Sequence, residues 1–349
     1  MKFRKAKLAI HEERDLRKGL RQRALSFGID FLDDAMIGIM PSDLILIGAP
    51  AGVGKTQFCC NLAYHNVSKG KRVHYIALEA EQYEIERRIK FQMVADLFFS
   101  DPNRPKIDSK ISYDKWYVGD FYESLASYDI SAAEKFEREY ENLFIGYKEN
   151  DFGLEQLIEK VMTVSNESDL LIVDHVHYFD FEEENENRAM KEIAKTARML
   201  ALEKKIPIVL VAHLRKRDRG NKQIVAGMEE FHGTSDLYKI ATKVVTFSPG
   251  PKIKDDKFVD HYHTYFRIPK NRINGSVTRY IASVPYSIRG SKYEQEYRIS
   301  NADAEKFQDI GYEHYPEWAR GFAYASRDTH ESNPRQSTSP KREIWKGYT

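Results

Sequence analysis

GAPAGVGKT, residues 48–56, follows the apolar run LILIG of residues 44–48 and opens an apolar-periodic stretch that continues to about residue 69. A buried strand that ends in small residues and turns directly into a helix is the opening of a phosphate-binding α/β fold. Small residues let the backbone wrap a phosphate with its N–H groups turned inward, and the following helix adds its positive N-terminal end. Gly52 and Gly54 supply that freedom, Lys55 is a mobile charge for β- and γ-phosphates, and the Thr56 hydroxyl suits a Mg²⁺ shell. The expected nucleotide cradle is therefore Ala49, Pro50, Ala51, Gly52, Val53, Gly54, Lys55, Thr56 and Gln57. The pattern G-x-x-x-x-G-K-[ST] starts here on Ala49, with Gly48 one position early, and smallness is what that position requires.

Outward from the cradle, strand and helix patterns alternate. A strand is expected at 72–78, a helix from 81 to about 99, strands at 143–147 and 169–174, helices near 153–164 and 183–204, and a strand at 206–213. Such alternation means a mostly parallel central sheet flanked by helices. Residues 101–120 are polar, contain proline and are rich in aromatics, and read as a surface excursion with no assignable chemistry. The runs at 243–248, 261–269 and 276–284 have strand character with no helix between them, so antiparallel edge strands are expected.

The 349 residues carry 54 Lys and Arg against 53 Asp and Glu, so the whole-chain charge argues for no acidic partner and any such argument must be local. The two cysteines, Cys59 and Cys60, are adjacent, which excludes a zinc ribbon and points to a reducing compartment and helix packing. With no run of about 18 apolar residues and no apolar secretory core, the protein is expected in the cytoplasm, in a phage or bacterial setting, without a membrane partner. Residues 1–25 hold nine Lys or Arg against three acids and read as a basic amphipathic linker helix, either solvated, docked on a neighbouring subunit or touching nucleic acid. Residues 26–300 form the main domain and 301–349 a C-terminal extension, largely disordered from about residue 326.

Several residues suit phosphate chemistry around the cradle. Asp174 closes the apolar strand DLLIVD and is the second Mg²⁺ anchor beside Thr56, the alternative being an ordinary strand-end acid. Glu79 ends the strand after the cradle helix and is the candidate base for a hydrolytic water, with Glu81 and Glu84 as more distant alternatives. His213 ends VLVAH, where it would face a γ-phosphate or else serve as a structural histidine. The loop after it carries Arg215, Lys216, Arg217, Arg219 and Lys222 against Asp218, a density suited to a nucleic-acid backbone or to a solvated loop. Against nucleic acid stands the acidic stretch at 182–186. The pairs His175 with His177 and His261 with His263 have strand spacing, but neither has a Cys or third ligand beside it, so metal binding is not expected there.

Taken together these motifs resemble the RecA-like ATPase domain of DnaB-type replicative helicases, particularly the phage and mitochondrial ring helicases, over about residues 26–285. SFGIDFLDDAMIGIMPSDLILIGAPAGVGKTQFCCNLA (26–63) is similar to that family's opening segment and first motif, ALEAEQYEIERRI (77–89) to its second, and DLLIVDHVHYF (169–179) to its Walker B motif. IPIVLVAHLRKR (206–217), FHGTSDLYKIATKVVTF (231–247) and IPKNRINGSVTRY (268–280) resemble the later motifs. The resemblance implies that Glu79 is catalytic, that His213 senses phosphate, and that Lys270 and Arg272 reach the neighbouring subunit's nucleotide, Arg272 as an arginine finger. It further implies a RecA-like P-loop fold, ATP and Mg²⁺ as cofactors, a ring of identical subunits, a hexamer in the family, and 5′ to 3′ movement on single-stranded DNA with other replication proteins as partners. Members of that family carry an N-terminal helical or primase domain, whereas this sequence has a basic helix ahead of residue 26. A recombination mediator or regulatory ATPase that binds DNA or protein without unwinding therefore stands as the alternative, with an ATP-gated scaffold behind it.

Overall fold

The structure, a computed structural model, describes residues 5–107, 111–120, 123–180, 186–214, 223–227, 229–231 and 235–320. Its strands are β1 (Leu44–Ala49), β2 (Val73–Ala77), β3 (Leu143–Tyr147), β4 (Leu170–Asp174), β5 (Ile208–His213), β6 (Lys243–Lys252), β7 (His261–Asn271), β8 (Tyr280–Ser287), β9 (Lys292–Tyr293) and β10 (Arg298–Asn301). The helices are α1 (Ala6–Lys18), α2 (Leu20–Arg23), α3 (Asp30–Met36), α4 (Lys55–Val67), α5 (Glu84–Ser100), α6 (Tyr113–Tyr117), α7 (Ala126–Glu139), α8 (Leu154–Val164), α9 (Glu186–Lys204) and α10 (Ser235–Ile240). All the strands join one sheet in the order β10-β8-β7-β6-β1-β5-β4-β2-β3, with β9 paired to β8. From β6 to β3 the pairing is parallel; from β6 outward through β10 it is antiparallel. This is the α/β architecture that the strand and helix alternation predicts.

The central strands are buried on both faces, and their period of two sorts them between two cores. In β1, Ile45 and Ile47 join the core that contains α4 and α5, while Leu44 and Leu46 face the core beneath α8 and α9. β5 divides likewise, Val209 and Val211 to the first side and Ile208, Leu210 and Ala212 to the second. Continuous apolar runs such as LILIG and IVLVA are thus required because helices cover both sides. Gly48 has a packing reason of its own: a Cβ there would come within 2.5 Å of the Phe231 ring and 2.9 Å of Leu214.

Three expectations need correction. The strand expected at 276–284 begins only at Tyr280, because residues 275–279 form a 3₁₀ turn whose start is capped by the Asn274 side chain accepting from Ser276 N–H. The excursion at 101–120 is not purely surface: Ile111 and Trp116 are buried in the first core, and Trp116 Nε1 donates to Asp129 on α7 at 2.9 Å. His177 lies in a 3₁₀ turn (Val176–Tyr178) rather than on a strand, so strand spacing does not govern the His175 and His177 pair. The described part of the segment after residue 300 packs back on the sheet, where the hydroxyl of buried Tyr315 accepts from Ile299 N–H at 3.0 Å and donates to Asp309 at 2.9 Å. Cys59 and Cys60 are free and buried on α4, as their adjacency suggests. The basic helix α1 stands exposed, with Ile10 61% and Leu16 54% accessible. Among the described residues no helix is long and apolar enough to cross a membrane.

Candidate nucleotide site

The parallel strands end together. Their registers set Ala49 of β1 beside His213 of β5, and Ala77 of β2 beside Asp174 of β4. The chain then continues from each tip into a loop, the position at which open parallel sheets bind ligands. Gly52 (φ 74°) and Gly54 (φ 91°) occupy left-handed backbone that a β-carbon would strain, and around Gly52 there is open space on the side where one would project. Lys55 opens α4, is buried, and donates to the carbonyls of Ala49 (3.2 Å) and Pro50 (3.0 Å); among the described residues no acid is in direct contact with it. Burial pushes the Lys55 pKa down, opposed by the charges of Glu79 and Asp174.

Asp174 is 2% exposed, and its Oδ2 accepts a 2.7 Å hydrogen bond from the Tyr75 hydroxyl. Burial pushes its pKa up, while the Tyr75 and Thr56 hydroxyls that face it pull the other way. Its second oxygen, Oδ1, is buried with no hydrogen-bond partner. A buried carboxylate oxygen without a donor, beside a threonine hydroxyl, is the donor set a hard cation takes, so these residues fit Mg²⁺. Tyr75, one strand over, orients that carboxylate; its place in the middle of the apolar run VHYIAL gave no sequence signal for such a role.

Glu79 is exposed at the tip of β2 and interacts with the Tyr178 hydroxyl, whose pKa burial and this carboxylate together raise. Glu84, one of its sequence alternatives, is engaged instead with Arg88 at 2.7 Å. Three histidines gather at the same edge: the rings of His175 and His213 lie 3.8 Å apart, and His177 Nδ1 is 3.3 Å from His175 Nδ1. Burial first, then the neighbouring histidines and Lys55, lower His175 to about 2; burial, then Lys55 and His177, lower His213 to about 4. Both rings are therefore neutral near pH 7.

The structure thus brings Lys55, Thr56, Asp174, Glu79 and His213 to one sheet edge. It turns the Gln57 side chain away, to donate to the Ser291 carbonyl at 2.8 Å. It does not bring Lys270 and Arg272 there. Thr246 stands beside Gly48, and Arg272 pairs with Thr242 four residues below it, so Arg272 lies roughly 13 Å down the strand direction from the level of Gly48. Its backbone N–H bonds the Thr242 carbonyl at the foot of the sheet, and its side chain is exposed. Lys270 there donates to the carbonyls of Tyr238 (2.9 Å) and Lys239 (2.7 Å) at the end of α10. Arg215, Lys216, Arg217, Arg219 and Lys222 lie outside the described residues, as does most of the acidic stretch at 182–186.

Sequence reading missed a cleft of about 310 Å³ that opens beside Gly52 and Gly54 and is lined by Pro249, Tyr262, Tyr286, Ile288 and Tyr293. Aromatic alternation along the antiparallel strands was its only signal. A larger cleft, about 560 Å³, lies between the β7 and β8 strands and the segment around Tyr312 and Tyr315, with none of the cradle residues in its walls.

The parallel sheet, the glycine cradle and the strand-tip acids define a RecA-like P-loop domain. The profile of the DnaB-like helicase C-terminal domain matches residues 24–278, and the chain belongs to that family. It is 26% identical over 206 residues to a probable plasmid replicative DNA helicase of Chlamydia psittaci and 24% identical over 210 residues to the replicative DNA helicase DnaB of Haemophilus influenzae, in both cases over 57% of this chain and 41% of the relative. The chain therefore spans about two fifths of the length of these relatives. Among solved structures, one isolated ATPase domain superposes with a TM-score of 0.64 at 14% identity, covering 83% of this chain and 97% of that one. A DnaB-like replicative helicase studied with primase superposes equally well, with a TM-score of 0.64 at 14% identity over 84% of this chain and 68% of that one. These likenesses bear out the RecA-like fold.

Proposed function

We propose that this chain is an Mg²⁺-dependent ATP hydrolase of the ring helicase type, which couples hydrolysis to movement on single-stranded DNA and to duplex unwinding in replication. The observation that carries the reading is the split arrangement of its charges: Lys55, Thr56, Asp174, Glu79 and His213 share one edge of the sheet, and Arg272 sits exposed at the opposite end. Mg²⁺, when bound, neutralises phosphate charge, and the residues that would hold it are Thr56 and Asp174. Residues 49–57 cradle the phosphates, with Lys55 as their point charge. Glu79, exposed at the strand tip, orients and deprotonates the attacking water. His213, neutral and next to Ala49, reads the γ-phosphate and passes its loss to the loop that begins at Leu214. The cleft lined by Tyr262, Tyr286 and Tyr293 beside Gly52 and Gly54 seats the base, because an aromatic ring can stack on any purine face.

Arg272 serves the next subunit's nucleotide. It stands at least roughly 13 Å along the strands from its own cradle, so only a neighbour's site is within reach of it, and a finger of this kind is worth about 10³–10⁵ in rate. A closed ring supplies every cradle with such a finger, a hexamer being the family's form. The basic residues 215–222 contact the DNA backbone, and replication proteins such as a primase are the expected partners.

The test is the ATPase rate with and without single-stranded DNA, alongside unwinding of a forked duplex. Stimulation by DNA with unwinding from a 5′ tail is the expected result. Hydrolysis indifferent to DNA, with no unwinding, would sink the motor reading and favour a mediator or regulatory ATPase.

A further inference from the structure

Beyond nucleotide hydrolysis, the histidines at the strand tips form a constellation that phosphate chemistry does not use up. One ligand atom each from Glu79, His175 and His213 lie within 4.8 Å of one another. His175 is fully buried, its Nε2 has no hydrogen-bond partner, and His213 Nδ1 is likewise buried and unpartnered. The backbone N–H of His213 faces His177 Nδ1 at a long 3.5 Å, an arrangement that favours that atom as an acceptor. The 3.3 Å contact between His177 Nδ1 and His175 Nδ1 needs a proton on one of them, and the assignment that fits the first contact puts it on His175. His175 Nε2 is consequently left with a bare lone pair, held in a fixed ring orientation by its neighbour, as the imidazoles of metal sites are held.

We propose that Glu79, His175 and His213 form a binding site for a borderline divalent transition cation of the zinc and cobalt class, separate from the oxygen site for Mg²⁺ at Thr56 and Asp174. Two imidazoles with one carboxylate are a three-ligand zinc set that leaves a fourth position open to water. Bonds of about 2.0–2.1 Å in a tetrahedral shell set ligand atoms about 3.3 Å apart, and exposed Glu79 can swing inward to meet that spacing. Imidazole nitrogen selects zinc-class ions, whereas Mg²⁺ takes oxygen ligands, so the two ions sort by chemistry although the sites adjoin. Occupancy takes Glu79 away from water and His213 away from phosphate, and the cation therefore inhibits hydrolysis. That consequence rests on the proposed function; the binding does not.

The experiment is a titration of the full chain, free of nucleotide, with Co²⁺ while its visible absorption is recorded, followed by displacement with Zn²⁺ and a challenge with excess Mg²⁺. A saturable band at one equivalent, abolished by Zn²⁺ and unmoved by Mg²⁺, is expected. Glu79→Gln and His175→Asn should each weaken it at least about tenfold, and His263→Asn, in the other histidine pair, should leave it alone. Glu79 is exposed, so its variant stays informative if His175→Asn fails to fold. Absence of a saturable band, or equal loss in His263→Asn, overturns the site. Co²⁺ binding in a chain that hydrolyses no ATP would instead overturn the proposed function and leave the metal site standing.

Discussion

Two buried polar clusters, one at each end of the parallel sheet, are satisfied to different degrees. At the foot, Lys243 is fully buried but complete: its ammonium pairs with Asp43 at 2.7 Å and donates to the Gly38 carbonyl at 2.7 Å, and Thr242 donates to the other Asp43 oxygen at 2.7 Å. Burial still lowers the Lys243 pKa, with Asp43 opposing it. At the top, Asp174 Oδ1, His175 Nε2 and His213 Nδ1 are buried without partners, and Lys55 rests on carbonyls alone. A structural network closes on itself because an unmade buried bond costs about 1–3 kcal/mol. On the proposed function, the same cost is accepted at the top because nucleotide and metal would complete the bonds. The contrast is between one closed cluster at the foot and one open cluster at the top.

This comparison can be broken from either end. The largest effects belong to turnover: Lys55→Ala should abolish measurable hydrolysis, and Glu79→Gln should lower kcat by about 10²–10⁴ while still binding ATP. Near-normal turnover of Glu79→Gln in a steady-state assay would remove it as the base. At the foot, Lys243→Ala strands Asp43 and should cost about 3–5 kcal/mol in urea unfolding. Asp174→Asn, which removes a buried charge whose Oδ1 lacks a partner, should instead leave the nucleotide-free protein within about 1 kcal/mol of the parent or slightly above it, and a loss as large as that of Lys243→Ala would contradict the distinction.

The smallest effect concerns Asp33, whose pKa burial raises to about 6 against the bonds it accepts from Ser26 and from Phe27 N–H. Because the folded state holds this proton more tightly than the unfolded chain, its stabilising share is complete below about pH 3.8 and fades as the pH rises through 6. Urea midpoints of Asp33→Asn should lack that decline.

What sequence could reveal follows the same division. The positions of the glycine loop, of Asp174 and Glu79 at strand tips, and the alternation of strand and helix along the chain were legible because apolar runs and glycines report backbone directly. The Tyr75 support of Asp174 was not, since a tyrosine inside an apolar strand looks like core until its hydroxyl is seen 2.7 Å from a carboxylate. The histidine cluster was hidden for a related reason: His175 and His213 are 38 positions apart, and only the adjacency of β4 and β5 brings them to 3.8 Å. Trp116 was misjudged because a polar, proline-containing context masked one buried anchor. The opposed placement of Lys55 and Arg272 needed the β6 and β7 register, which no local pattern encodes.

That opposition is the central claim, and subunit mixing tests it most directly. Arg272→Ala and Lys55→Ala are each expected to be inactive alone, the first lacking a finger and the second a working cradle. Mixed in equal amounts, Lys55→Ala subunits can lend Arg272 to the intact cradles of Arg272→Ala neighbours, and ATPase activity should return in part. No recovery in mixtures shown to co-assemble would contradict a site shared between subunits.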